Sequence, residues 1–466
     1  MSTPLVALID IGKTNTRLTL VDPQSGAEIR STRRSNNVVQ GPRGRELDVA
    51  AIDQWLMTAL RELPHKERVR VIVPVAHGAA AVLLDRDGNV LAAPDYEDSC
   101  FESVSDAYRT QRDPYEATCS PDLPLGLNLG RQLFYLQETQ PELFSRVSHV
   151  LLYPQFWAWR LSGVMASEVT SLGCHSDLWL PGTMSFSRLA QQRGWSGLLP
   201  TTRFAGDLLR PISSEVAATT GLDAECQVAC GIHDSNASYL KFLIARDRNE
   251  PFTVISSGTW TVVMANHADL TKLREDRDML ANVDAFGAPV ATARFMGGRE
   301  YEAIAGTDVR PNMPALLNAI ERKAMALPAF ASGGPFVGRE GKVVNCEGLS
   351  GSERASVATL YVALMSELLI EMLGARGDVL IDGPLATNPL FGSILASLRP
   401  AQRVLLSAGD GGNTRAACYL GGFADAPAPL MRSADPLTNK HLSAYREAWR
   451  REVSPSPNSA STSGNM

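Results

Sequence analysis

Apolar residues run almost unbroken from Leu5 to Ile9, stop at Asp10, and resume in alternation as Leu18-Thr19-Leu20-Val21. A polar knot over residues 11–17 separates the two stretches. The period-two spacing on its far side predicts strand, turn, strand. Helical spacing follows over Ile52 to Leu63, and Val69 to Ala76 reads as a buried strand ending at His77-Gly78. A second hairpin, Ala81 to Asp85 and then VLAAP, is predicted around an Asp-Gly turn. Gln132 to Gln137 is helical, and His149 to Gly163 begins as a strand and becomes an aromatic-rich helix after Pro154, with Gly163 as its stop. Near residue 240 the design restarts. Pro251 to Ala265 is again strand, small polar turn (Ser256 to Thr259), strand, a repeat of supersecondary structure rather than of residue identity. Ala355 to Leu373 then reads as a helix, Val379 to Gly383 and Arg403 to Ser407 as strands, and Asn413 to Leu420 as a helix. The pattern predicts two mixed α/β halves, each opening with a hairpin whose tip is polar and small.

Gly12-Lys13-Thr14 imitates the end of a GxxxxGK[ST] phosphate loop. That loop needs a Gly where Ala7 stands, and a helix rather than a strand afterwards. An ordinary polar turn accounts for the stretch about as well. Two such tips facing each other across a cleft would make a phosphate clamp. In it Asp10 could position a metal, Thr14, Asn15 and Thr16 could donate to phosphate oxygens, and Arg17 would add charge or merely hold the turn.

Composition narrows the class. The chain has 466 residues, 44% of them hydrophobic, and a net charge of −6. That length suggests two or three domains at roughly 150 residues each. The charge argues against a general binder of nucleic acid or anionic membrane. No run reaches the roughly 18 apolar residues of a membrane span, and the first residues do not read as a signal peptide, so cytoplasm is the expected compartment. The seven cysteines are scattered. Cys226 and Cys230 lack a matching pair downstream, which reads as reduced thiols rather than zinc ligands. The tail from Val453 is rich in Pro and Ser and is predicted disordered.

VACGIHDSNASYL, residues 228–240, is the most informative stretch. An apolar strand ends in Gly231, and small residues after Asp234 open a helix. A carboxylate at such a junction can face a ligand, although an Asp there can equally serve as a helix cap. Taken with the other motifs, the chain resembles the FGGY family of carbohydrate kinases. DIGKTNTR resembles that family's DxGTTSxR phosphate hairpin, VAHGAAAVLLDRDGN its substrate-side segment, and YPQFWAWRLSG its helix ending in LTG. GIHDSNAS is similar to the GxxD element with the catalytic Asp, SSGTWTVV to the second phosphate loop, and IDGPLATNP to the adenosine loop. The motifs follow in family order and span nearly the whole chain. Lys13 departs from a usual small hydroxyl residue. Asp382-Gly383-Pro384 replaces a Gly-Gly pair, and FGSILASLRP stands where the family has QxxAD.

The resemblance implies an α/β fold of two actin-like, ribonuclease H-like ATPase domains with a cleft between them. The expected bounds are 1–240 for the sugar and phosphate side, 241–452 for the nucleotide side, and 453–466 for the tail. It implies transfer of the γ-phosphoryl of ATP, with Mg²⁺, to a primary hydroxyl of a ketose. His233 before the Asp and Trp260 after Gly-Thr resemble the rhamnulokinase and fuculokinase branch, which acts on 6-deoxyketohexoses such as L-rhamnulose or L-fuculose. His77-Gly78 is shared with xylulokinase-like enzymes, so a pentulose or polyol kinase is the alternative, and a non-catalytic sugar-sensing ATPase is a third reading. The implied roles are Asp234 as base and Asp10 as metal ligand, with Thr14, Asn15, Arg17, Gly258 and Thr259 on phosphates and Gly383 and Asn388 under the adenosine. Ala76, His77 and His233 would lie on the sugar, although His77 could be a core residue and His233 could simply fix Asp234. Glu168 and His175 are weaker candidates for the sugar side, and Trp260 is expected in the core. The expected partners are the sugar and ATP, with no nucleic acid, no membrane, and a homodimer compatible with this branch.

Overall fold

The computed structural model describes residues 3–41, 44–307, 309–408 and 412–454. The first sheet grows from Leu5–Ile11 (β1), a strand so apolar that both faces are covered, as parallel central strands require. Asn15–Val21 (β2) folds back against it and Glu28–Ser35 (β3) against β2, both antiparallel. On the other side of β1 lies Val69–Ala76 (β4), in parallel. The sheet is completed by Leu208–Pro211 (β5), Gln227–Ala229 (β6) and Ile232–His233 (β7), giving the order β5-β6-β4-β1-β2-β3 with β7 also on β4. Val49–Arg61 (α1) and Tyr153–Ser162 (α2) cover the sheet through Ile52, Leu56, Leu60, Phe156, Trp157 and Leu161. Asp48 caps α1 through Ala51 N, and Gly163 ends α2 in the left-handed conformation.

The second sheet repeats the plan. Phe252–Ser257 (β8) pairs antiparallel with Thr261–Ala265 (β9) and parallel with Asp378–Asp382 (β12). With Met279–Val283 (β10), Pro289–Phe295 (β11), Val404–Ser407 (β13) and Met431–Ser433 (β14) its order is β10-β11-β9-β8-β12-β13-β14. Each sheet therefore sets a hairpin beside a parallel crossover strand, as the two predicted polar tips required.

Contact grouping divides the chain into a first unit of residues 1–249, 280–291 and 409–429 and a second of 250–279, 292–408 and 430–466. The boundaries differ from a single cut at 240. Residues 241–243 complete the helix Asp234–Leu243 (α3), turns over 244–249 stay with it, and two later segments return to the first unit. The tail's residues 455–466 lie outside the described residues.

Gly351–Met372 (α5) is a 22-residue helix whose most apolar stretch has a mean hydropathy of 1.5, long and apolar enough to cross a bilayer. Ser356, Thr359, Ser366 and Glu367 interrupt its apolar run, and 83% of that stretch is buried. Glu367 is fully buried and is met by Arg446 and Arg450 from Leu442–Val453 (α6), so the charge is paired where it is desolvated.

The strand predicted to end at Gly231 instead breaks there and resumes. Gly231 has φ +88°, and a Cβ on it would lie 2.7 Å from the Pro74 carbonyl oxygen. Gln155 of α2 donates to the carbonyls of both Cys230 and Gly231 at 3.1 Å. The break lets β7 pair with Val75 and Ala76 directly before Asp234. Gly231→Ala should therefore lose about 1–3 kcal/mol of stability, measured by denaturant unfolding.

Candidate active site

In the first unit three adjacent parallel strands end level. Ile11 is opposite Ala76, and Ala76 is opposite His233. Their next residues, together with Asp10 one step back, gather at one sheet edge. Ala76 is wholly buried in the ladder.

Asp10 accepts a hydrogen bond from Asn413 Nδ2 at 3.0 Å. Burial, and then the charge of Asp234, push its carboxyl up to about 6. Asp234 opens α3. Its Oδ1 accepts from Ser235 N at 2.6 Å and lies 3.2 Å from His233 Nε2. Oδ2 carries no hydrogen bond among the described residues, and the side chain is 35% exposed. Burial raises this carboxyl against the pull of His77 and the Ser235 N–H.

His77 is buried, with Nδ1 2.9 Å from the Gly78 carbonyl oxygen, so Nδ1–H donates and Nε2 keeps its lone pair. His233 is pushed down to about 4 by burial and is neutral. Asn236 Nδ2 faces its Nδ1 at 3.2 Å, and Cys174 Sγ and Asp234 share its Nε2. Both ring nitrogens are engaged by protein, the geometry of a residue that fixes Asp234. Thr170 adds to this, because its hydroxyl accepts from His233 N at 3.1 Å and donates to Glu168 at 2.6 Å. Glu168 is fully buried, caps the following turn, and is pushed up to about 7. His175 binds the Leu127 carbonyl through Nδ1.

The first hairpin tip sorts its polar residues. Thr14 and Asn15 are exposed and hydrogen-bonded to each other at 3.0 Å. Thr16, expected to donate to phosphate, is buried and donates to Asn36 Oδ1 at 2.8 Å. Asn36 in turn donates to the Gly12 carbonyl, stapling the turn. Arg17 is held by Glu28 at 2.5 Å and by Ser31 at 2.6 Å.

The second unit holds a cavity of about 720 Å³ lined by Ser257, Gly258, Thr259, Gly298, Tyr301 and Asn388, among others. Gly258 and Thr259 form the β8–β9 tip. A Cβ on Gly298 would lie 2.3 Å from the Gly258 carbonyl oxygen, and one on Gly297 2.1 Å from Thr261 Oγ1. The start of Gly297–Ala305 (α4) therefore lies close against the tip, a contact the sequence reading missed although Met296-Gly297-Gly298 was there to find. Gly383 (φ +78°) passes over Ser257, whose Oγ donates to the Asp382 carbonyl at 2.6 Å and accepts from Leu385 N at 3.0 Å. Asn388 lines the cavity and also caps the next helix through Leu390 N and Phe391 N. Trp260 is half-buried under the Arg294 guanidinium, 4.9 Å from its ring centre.

Residues 249–429 match the family model for the carbohydrate kinase FGGY C-terminal domain. A solved carbohydrate kinase from Novosphingobium aromaticivorans is 36% identical, with 97% of this chain and 99% of that chain covered and a TM-score of 0.90. The chain belongs to the FGGY carbohydrate kinases. It is a sugar kinase on the two-domain actin-like ATPase fold, taking a sugar and ATP. A xylulose kinase from Lactobacillus acidophilus (15% identity, 96% of each chain, TM-score 0.76) shares the fold. So does a Plasmodium falciparum glycerol kinase with ADP (11%, 97% of this chain and 99% of that chain, 0.76).

Two outcomes follow for this kinase. Gly298→Ala should displace the β8–β9 tip and lose about 1–3 kcal/mol of stability in denaturant unfolding, because the added Cβ meets the Gly258 carbonyl. Asp10→Asn should raise the melting temperature at about pH 8, by about half as much at about pH 5, and hardly at all near pH 3. The sign follows from the raised carboxyl. Asp10 favours the folded state when protonated, and that contribution is lost as pH rises from its ordinary 3.8 through about 6. An Asn, neutral throughout, restores it.

Proposed function

We propose that this kinase transfers the γ-phosphoryl of ATP to a primary hydroxyl of a neutral ketose, with Asp234 as the base. The observation that carries the reading is the free Oδ2 of a half-exposed Asp234 whose Oδ1 is fixed by Ser235 and His233. The acceptor O–H gives its proton to Oδ2 as the oxygen bonds to phosphorus and the bond from phosphorus to the β-phosphate bridging oxygen breaks. The transition state is loose, so alignment and charge neutralisation supply most of the rate. His77 Nε2 accepts from a sugar hydroxyl and orients the acceptor. Thr14 and Asn15, on the exposed turn, and Gly258 and Thr259, in the second unit's cavity, donate to phosphate oxygens. Gly383 and Asn388 shape the floor for adenosine.

Asp10 fits a hard divalent cation. It is an oxygen donor raised by burial and a second carboxylate, which a cation would relieve. Among the described residues no three His, Cys, Asp or Glu side chains form a cage, and Mg²⁺ needs only one or two carboxylates beside phosphate and water. Bound there, Mg²⁺ would neutralise phosphate charge.

The charges around these residues favour a neutral acceptor. Arg45 pairs with Asp95 at 2.8 Å, Lys13 pairs with Asp95, and Arg17 pairs with Glu28. These three cations are therefore matched, while Asp10 and Asp234 leave a negative field that disfavours a sugar acid. The 6-deoxyketohexose reading rested on His233 and Trp260. The first fixes Asp234 and the second packs under Arg294, so a pentulose such as D-xylulose stands level with L-rhamnulose and L-fuculose.

An ADP-coupled assay over these ketoses, glycerol and D-gluconate tests the reading. Turnover should need an acceptor and be greatest with a ketose, and preference for gluconate, or turnover without any acceptor, would overturn it. Asp234→Asn should keep ATP affinity and lose roughly 10³-fold or more in kcat.

A further inference from the structure

Lys13 is the departure in the first hairpin tip that the proposed chemistry leaves unused. It stands in the turn three residues after Asp10, where a phosphate-binding cation would be expected. Its ammonium instead turns towards the loop Asp95–Glu97. It pairs with Asp95, lies 3.6 Å from Glu97 Oε2, and sits 4.6 Å from the centre of the Tyr96 ring. Only 17% of the Lys13 side chain is exposed, and Asp95 is fully buried.

The same loop borders the acceptor side. Tyr96 meets the His77 ring edge-on at 5.8 Å, and its hydroxyl feels the charge of Asp234. Asp95 is the knot of the loop. Its Oδ1 accepts from Glu97 N at 3.2 Å, its Oδ2 meets Arg45 at 2.8 Å, and its N–H donates to the Arg45 carbonyl at 3.0 Å. A buried carboxylate is tolerated when its charge is matched and its lone pairs are occupied. Lys13 supplies part of that match from a different segment of chain.

We propose that Lys13 is a positioning residue for the sugar. By pairing with Asp95 it ties the turn that follows Asp10 to the Asp95–Glu97 loop, and so fixes Tyr96 beside His77. This rests on the reading of Asp234 and His77 as the acceptor side. It assigns Lys13 to the sugar rather than to the phosphates, opposite to what its place in the turn suggests. The carboxylates Asp95 and Glu97 and the Tyr96 face already surround its ammonium.

Steady-state kinetics with both substrates varied separate the two roles. Lys13→Met should raise the ketose KM about tenfold or more and leave the ATP KM within about twofold. Lys13→Arg, which keeps the charge, should restore most of the lost acceptor affinity. Asp95→Asn removes the tie from the other side and should raise the ketose KM alone. This variant decides the matter if Lys13→Met does not fold. Adding Asp95→Asn to Lys13→Met should do little further harm, because the two act as one unit. A rise in the ATP KM with an unchanged ketose KM would overturn the proposal, as would no change in either. Asp234→Asn run in parallel keeps this outcome separate. If that variant stays active the base assignment fails, whereas if it is inactive and Lys13→Met is unaltered only the positioning role fails.

Discussion

The first unit is organised around an electrostatic constraint that its own sheet creates. Parallel pairing of β1, β4 and β7 brings three strand ends level, and this sets the carboxylates of Asp10 and Asp234 within each other's field. Among the described residues neither has a charged cationic side chain as a direct hydrogen-bond partner. Two partly buried carboxylates so placed resist simultaneous ionisation. A sheet edge of this kind weakens the resting protein and favours whatever brings positive charge to it. Kinase chemistry benefits from that arrangement, because the polyanionic nucleotide arrives with a cation, and the acceptor needs a base that is not already neutralised.

Much of the surrounding structure holds this edge in place. The left-handed Gly231 and the amide of Gln155 let β6 stop and β7 restart. Thr170, held by the buried Glu168, takes the His233 N–H, and Asn236 and Cys174 fix the His233 ring. Asn36 staples the hairpin turn through the Gly12 carbonyl. These groups touch neither substrate in the proposed mechanism, yet each fixes a segment that does. In the second unit the same economy of space is achieved with glycine. Gly297 with Gly298, and Gly383, let two chain segments approach the β8–β9 hairpin where side chains would collide.

What was legible in the sequence was local. The two hairpins, the buried strands and the strand-to-helix passage at Asp234 follow from hydrophobic period and small residues, and the structure has them. The resemblance carried by those motifs pointed to the FGGY family, to which the chain belongs. What was not legible depends on distance along the chain. Nothing in the spacing of residue 13 and residue 95 shows that they pair, nor that Asn413 meets Asp10. The return of residues 280–291 and 409–429 to the first unit is a tertiary outcome of the same kind. His233 and Trp260 are recognisable as motif letters, but their side chains are taken up by Asp234, Asn236, Cys174 and Arg294. They therefore say little about which sugar is bound. Thr16 failed as a phosphate donor because strand alternation turns it inward, a rule the sequence contained but the motif reading overrode.

The central claim is that Asp10 and Asp234 share one electrostatic environment at the sheet edge. Its most direct test is the titration of the Asp10 carboxyl by ¹³C NMR in the wild type and in an Asp234→Asn variant. The account predicts an Asp10 midpoint near 6 that falls when the neighbouring charge is removed. An Asp10 that titrates in the ordinary carboxylate range, or whose midpoint is indifferent to residue 234, would contradict it.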